Sequence, residues 1–313
     1  MRLLPARLND KPHYVFHPTR MVRRAMYRSP PGPSAAAPRA IAQLPWGLPV
    51  EVGRDEAMGF TILTTGVFDP CVTETMQRLI DPGDTVVDVG ANIGYLTSLA
   101  AVRATAEGSV LAFEPHPVVF ELLSANIARW SGTRVAEVQA RRIALSDHAG
   151  TAELSSNAAF DANMGLSSLS PTSGEAAGEV RFPVDVERLD DVIGDRSIGL
   201  LKIDVEGHEP GVLRGAPELL RGGRVRDVIF EDHEPYPSEA TALVEGAGYR
   251  LFSLSNDLFG IELGAPAERG EVSEWPGPSY LATRDPDRAI RRLRPRGWQV
   301  AGIGPSAPWR RGR

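Results

Sequence analysis

The chain has 313 residues, 42% of them hydrophobic, enough to bury one large core or one core with a small appendage. No apolar run is long enough to cross a bilayer, the N-terminal Met-Arg-Leu-Leu-Pro leads into no secretory signal, and the single cysteine, Cys71, excludes intrachain disulfides and cysteine metal clusters, so a cytoplasmic protein is expected. The net charge of −6 divides into +7 over residues 1–42, +7 over 284–313 and −20 over the body between them, which argues against a nucleic-acid groove; the basic ends read as solvated tails docking on the acidic body, with a membrane surface or an acidic partner as the alternative.

Residues 1–45 are rich in Pro, Arg and Ala, with Ser29-Pro30-Pro31-Gly32-Pro33 leading into an alanine run, and read as an arm outside the core. Residues 46–285 are expected to form the folded domain, and 286–313 a basic tail. Within the domain, short apolar runs alternate with helix-like stretches. Strands are expected at Thr85–Val89, Ser109–Phe113, Val135–Leu145, Ile198–Val205, Asp227–Glu231, Tyr249–Leu254 and Ser279–Thr283. Helices are expected at Tyr95–Ala106, Pro117–Trp130, Pro210–Leu220 and Ser238–Ala247. This alternation implies right-handed β-α-β crossovers and a doubly wound, mostly parallel α/β sheet. Residues 150–189 break the rhythm, with extra strands at Thr151–Ser155 and Val180–Leu189 around a Ser/Gly-rich loop. A small β insertion there is placed to form part of an acceptor pocket.

The most informative stretch is Asp84-Thr-Val-Val-Asp88-Val-Gly90-Ala91-Asn92-Ile-Gly94-Tyr. A β-branched run ends in a turn with two glycines, and a helix follows with its free N–H groups at the turn. A dinucleotide site wants G-x-G-x-x-G, yet Asn92 stands at the middle glycine and Tyr95 at the third. An acidic residue before the turn also suits a pyrophosphate badly. S-adenosylmethionine carries no phosphate but has an ammonium and a sulfonium, so Asp88, Gly90, Ala91, Asn92 and Gly94 read as its cradle, with Asp88 meeting the positive amino-acid end directly or through water. Glu114 ends the second strand, where a carboxylate accepts hydrogen bonds from both ribose hydroxyls. Ser146 and Asp147, after the third strand, are candidates for the adenine amine; a turn-forming Ser-Asp pair explains them nearly as well.

Four blocks together resemble the FkbM family of methyltransferases, over about residues 60–285. They are Asp84–Gly94; Asn163-Met-Gly165-Leu-Ser167-Ser168-Leu; Arg188-Leu189-Asp190-Asp191-Val; and Leu201-Lys202-Ile-Asp204-Val-Glu206-Gly207-His208-Glu209, continuing to Leu213-Arg-Gly215-Ala216. The last block is long and the most specific. Asp69 stands where the family often has Glu after an aromatic residue. The resemblance implies a Rossmann-like class I methyltransferase sheet with an antiparallel last strand, and methyl transfer from S-adenosylmethionine, usually to hydroxyls of polyketides, sugars or other secondary metabolites.

Methylating an alcohol requires alignment, exclusion of water and a base. Asp204, Glu206 and His208 are spaced by two at the end of the fourth core strand, and share a face as far as the chain stays extended. His208 is the natural general base near neutral pH; Asp204 or Glu206 could serve instead, or orient it. Glu209 reads as a cap on the helix that follows, and Lys202 as an ion-pair partner of Asp204 or Glu231. Glu231-Asp232-His233-Glu234, beside Asp204 and His208, is the nearest approach to a metal set, but its spacing matches no metal pattern and no metal is expected. The strand tail is Asp-Val-Glu-Gly rather than the Asn-Pro-Pro-Tyr type of base and amide methyltransferases, which favours a small-molecule acceptor. The rival readings are an NAD-linked oxidoreductase and a noncatalytic module that keeps the cofactor fold as a scaffold.

Overall fold

The centre of the molecule is a strand of sequence Ile-Gly-Leu-Leu-Lys-Ile, β10 (Ile198–Ile203), buried at every position as a strand covered on both faces must be. In the computed structural model, which describes residues 39–54, 56–156, 167–168, 180–266 and 279–301, β10 pairs in parallel with β3 (Thr85–Val89) and β11 (Val225–Glu231). Beyond β3 lie β4 (Ser109–Phe113) and β5 (Glu137–Arg141), both parallel. Beyond β11 lie β14 (Ser279–Thr283), antiparallel, then β12 (Arg250–Asp257) and its hairpin partner β13 (Gly260–Gly264). The eight-stranded order is β13-β12-β14-β11-β10-β3-β4-β5. This is the expected mostly parallel sheet with its late antiparallel strand; β12 is the strand expected at Tyr249–Leu254, and β13 extends the edge beyond it.

Helices return the chain between parallel strands: α3 (Tyr95–Ala104), α4 (Pro117–Arg129), the pair α6 (Glu209–Arg214) and α7 (Pro217–Arg221), and α8 (Glu239–Gly246). Two apolar clusters cover the sheet's faces. One gathers Met76, Leu99, Val86 and Leu200; the other gathers Val87, Leu201, Leu213 and Val244. The chain runs from β3 to one edge through β4 and β5, then resumes at β10 on the other side of β3. Open α/β sheets bind ligands at such a reversal, at the carboxyl ends of the strands.

The insertion forms a second sheet. β6 (Ala144–Ser146), β7 (Gly150–Ser156), β8 (Ser167–Ser168) and β9 (Val180–Arg188) are arranged β6-β9-β7-β8. The single strand expected over Val135–Leu145 is therefore two strands in different sheets. Consecutive polar residues Arg141 and Arg142 interrupt the alternation, and Ile143 turns into the core. The strand expected to run to Val205 ends at Ile203, because Glu206 and Gly207 adopt left-handed backbone. The single helix expected over Pro210–Leu220 is broken at Gly215-Ala216-Pro217, where Pro217 has no N–H to continue the ladder.

The domain boundaries expected at 45 and 286 are corrected. β1 (Arg39–Gln43) pairs with β2 (Pro49–Gly53) in a hairpin whose Ala42, Leu44 and Trp46 are core residues. α9 (Pro286–Leu293) buries Ala289 and Leu293. Two more helices lie outside the expected pattern, α1 (Ala57–Thr65) and α2 (Pro70–Leu79). A buried pair on α2 grips the chain after α9. Arg78 Nε donates to Glu74 at 2.6 Å, and its terminal nitrogens donate to the carbonyls of Arg292, Pro295 and Gly297. Glu74 accepts the amides of Gln299 and Val300, both at 2.9 Å, and Trp298 between these contacts is fully buried.

Candidate active site

β3 delivers Asp88 and then the glycine turn to the sheet's reversal point. Gly90 has φ 74°, and a Cβ there would fall 1.9 Å from the Asp204 carbonyl oxygen, so only glycine lets the turn lie against the end of β10. Ala91 is buried and its N–H donates to Phe113 O at 3.0 Å. Asn92 is also left-handed, φ 49°; its Oδ1 accepts from Ile93, and its own N–H donates to Glu114 Oε2 at 2.9 Å. Gly94, φ 90°, starts α3 against the Leu123 side chain. The other oxygen of Glu114 accepts the His116 N–H at 2.9 Å. Two backbone donors thus aim this carboxylate at the turn, while burial pushes its pKa up to about 7 against them.

Asp88 is fully buried. It accepts from Thr97 Oγ1 at 2.6 Å and lies 3.2 Å from Lys202 Nζ. Within the protein this carboxylate thus meets a hydroxyl and an ammonium, so a direct or water-mediated contact with the ligand's positive end would be shared with Lys202. Lys202 also donates to the carbonyl of Gly90 at 2.7 Å and lies 3.6 Å from Asp204 Oδ2. It ties the carboxyl ends of β3 and β10 together. Burial pulls its ammonium down, but Asp88 and Asp204 outweigh burial and hold the pKa above the ordinary lysine value.

Asp204 and His208 have different partners. Asp204 faces Lys202. His208 Nε2 lies 2.9 Å from Ser146 Oγ, not against Asp204 as expected, and its imidazole covers Gly211, where a Cβ would come within 2.4 Å. The left-handed pair Glu206, φ 53°, and Gly207, φ 93°, turns the chain before His208. Burial lowers the His208 pKa. Glu206 is half-buried and makes no hydrogen bond or ion pair among the described residues; burial, then Asp204 and Glu209, push its pKa up to about 7. Glu209 accepts the Val205 N–H at 2.8 Å, closing the turn before α6.

Ser146 is buried under the α6 side of the site. Gly215 packs on its carbonyl, where a Cβ would fall 2.0 Å away. Asp147 pairs with Arg214 at 2.9 Å and His148 at 2.8 Å, and these hydrogen bonds hold its carboxyl well below the usual range. Asp190 accepts the amides of Glu218 and Leu219, which caps α7. Of Asn163–Leu169, all but Ser167 and Ser168 lie outside the described residues. Among the described residues no three His, Cys, Asp or Glu side chains gather as a metal site, and no helix is long and apolar enough to cross a membrane.

Two contributors escaped the sequence reading. Tyr95 is buried and its hydroxyl accepts the Phe68 N–H at 3.0 Å, which fixes the turn carrying Asp69. Asp69, φ 39°, caps α2 through Val72, and burial raises its pKa to about 6, with Asp204 adding to the rise. Thr97, one helical turn into α3, holds Asp88. The only advance signal for Tyr95 was its place at the missing third glycine.

The donor set suits S-adenosylmethionine and not a dinucleotide. Asp69, Glu114, Asp204 and Glu206 surround the turn, and the nearby Lys202 ammonium is already countered by Asp88. Such a surplus of carboxylates favours a sulfonium and an ammonium and repels a pyrophosphate. Strand order, glycine turn and acidic strand ends define a class I methyltransferase domain. The methyltransferase FkbM domain matches residues 88–251, just over half of the chain, and the protein belongs to this S-adenosylmethionine-dependent family. It is 34% identical over 223 residues to the 31-O-demethyl-FK506 methyltransferase FkbM of Streptomyces tacrolimicus, covering 60% of this chain and 81% of that one. It is 34% identical over 197 residues to the methyltransferase sdnD of Sordaria araneosa, covering 53% and 73%. It is 30% identical over 174 residues to the hexuronic acid methyltransferase AglP of Haloferax volcanii, covering 52% and 62%.

Proposed function

We propose that the protein methylates a hydroxyl oxygen of a small molecule, of polyketide or sugar type. The observation that carries this reading is the close approach of Gly90 to the Asp204 carbonyl, which sets a carboxylate-bearing strand tail beside the cofactor turn. S-adenosylmethionine supplies the electrophilic methyl carbon when bound. Glu114 would hold the ribose, the turn from Gly90 to Gly94 would receive the rest of the nucleoside, and Ser146 with Asp147 would border the adenine. The role left to the chain's own side chains is to orient the acceptor, exclude water and take up its proton. The names of two relatives give 31-O-demethyl-FK506 and hexuronic acid as what they methylate, which supports an oxygen acceptor of modest size. The net −20 of residues 43–283 disfavours a nucleic-acid acceptor.

The reading is tested in two steps. Calorimetry compares S-adenosylmethionine with NAD, and only the former is expected to bind. Mass spectrometry then follows methyl-labelled cofactor into a panel that includes 31-O-demethyl-FK506, glucuronic acid, a primary amine and RNA. Label on a hydroxyl supports the proposal; label on the amine or RNA alone overturns it.

A further inference from the structure

Among the described residues, Glu206 is the one acidic side chain of the β10 tail with no hydrogen bond or ion pair of its own. Asp204 is committed to Lys202, and Glu209 to the Val205 amide. His208 is committed to Ser146. Glu206 has no such partner among the described residues, although it is half-buried.

Its backbone is equally unusual. Among the described residues, four besides glycine have positive φ: Asp69, Asn92, Thr105 and Glu206. Three of them surround the cofactor turn. Two of these have an internal use for the conformation, since Asp69 caps α2 and Asn92 turns its amide to Glu114. A left-handed residue other than glycine costs about 1–3 kcal/mol, and strain of this kind gathers at functional sites. At Glu206 no hydrogen bond or ion pair of the side chain among the described residues offsets it.

We infer that Glu206 is the group that takes the proton from the acceptor hydroxyl. The inference rests on the proposed O-methylation. The acceptor O–H bond breaks with its proton going to a Glu206 carboxylate oxygen, while the oxygen forms a bond to the methyl carbon. The C–S bonding pair stays on sulfur, and Glu206 ends the turnover protonated and must lose that proton to solvent before the next. Asp204 and Glu209, which keep Glu206 basic, and Lys202, which opposes them, are the charges that act on it. His208 becomes a positioning residue that fixes the turn through Ser146.

Burial moves the two rival bases in opposite directions, so pH separates them: Glu206 goes up to about 7, His208 below its ordinary value. S-adenosylmethionine is titrated calorimetrically into wild type, Glu206→Gln and Glu206→Asp at pH 7 in buffers of differing ionisation enthalpy. The incoming cation should drive a proton from Glu206, so wild type is expected to release up to about half a proton more than Glu206→Gln, at similar affinity. The second arm is single-turnover methylation of 31-O-demethyl-FK506 and glucuronic acid from pH 5.5 to 9. The wild-type rate is expected to rise through about pH 7, Glu206→Gln to lose that limb and about 10²–10⁴ in rate, and Glu206→Asp to keep the limb at reduced rate. Equal proton release by wild type and Glu206→Gln overturns the assignment, whether or not either probe is methylated. So does an unchanged limb in Glu206→Gln. Failure of S-adenosylmethionine to bind the wild type would instead remove the proposed function itself.

Discussion

Lys202 Nζ lies 3.2 Å from Asp88 Oδ1 across adjacent parallel strands, with both side chains buried. The same ammonium bonds the carbonyl of Gly90, so one cation sets both the charge and the path of the glycine turn. Lys202→Met should leave Asp88 as an uncompensated buried charge, at a cost of about 3–5 kcal/mol in urea unfolding. The double variant Lys202→Met/Asp88→Asn should recover part of the loss. Full stability in the single variant would show that Thr97 alone satisfies Asp88.

Glu114 holds the position expected to meet the ribose, and its pKa lies at about 7 because it is buried. Hydroxyl donors favour the ionised form, so S-adenosylmethionine affinity should strengthen as pH rises through about 7. Stability of the unliganded protein runs the other way. A raised carboxyl contributes stability that is full below about 4.5, the ordinary glutamate value, and is lost as pH rises through about 7. Glu114→Ala should cost roughly 1.5–3 kcal/mol in binding at pH 8, about 10- to 150-fold by calorimetry. Wild-type affinity in that variant would remove Glu114 from the cofactor site.

The Glu74–Arg78 pair predicts a stability effect far from the chemistry. Arg78→Ala takes away Glu74's partner and leaves three carbonyls of the C-terminal stretch without their donor. A loss of about 3–5 kcal/mol is expected in thermal or urea unfolding. Arg78→Lys should rescue little of it, since an ammonium cannot reproduce the guanidinium fork that reaches all four acceptors.

Local patterning made the frame legible. Thr85–Val89, Ser109–Phe113 and Ser279–Thr283 are short runs whose residues are mostly buried, and the sequence places them to the residue. The glycine turn was legible because its strand and helix are adjacent in the chain. The pairing of Lys202 with Asp88, or of His208 with Ser146, was not, because each joins residues brought together only by the sheets. The period-two spacing of Asp204, Glu206 and His208 misled for a definite reason. It assumes an extended chain, and positive φ at Glu206 and Gly207 breaks that assumption. Helix α2 and the Trp298 clasp were hidden because their apolar residues are buried together with polar and charged ones, the Glu74–Arg78 pair among them.

His208 offers the sharpest contrast between the sequence reading and the structure. As the general base it should be free to receive a proton, with an acidic neighbour behind it. Its Nε2 instead faces Ser146 Oγ at 2.9 Å, linking the tail of β10 to the start of the loop expected to border the adenine. A neutral hydrogen bond of this kind contributes about 0.5–1.5 kcal/mol. His208→Ala should therefore weaken S-adenosylmethionine binding by about 2- to 12-fold, while the rate at saturating cofactor changes by less than about tenfold. Gly211→Ala should act in the same direction, because the added methyl would press within 2.4 Å of the same imidazole nitrogen and displace it. Calorimetry and single-turnover methylation of one acceptor separate the two effects. A rate loss of hundreds in His208→Ala at unchanged cofactor affinity would return the proton-accepting role to His208 and take it from Glu206.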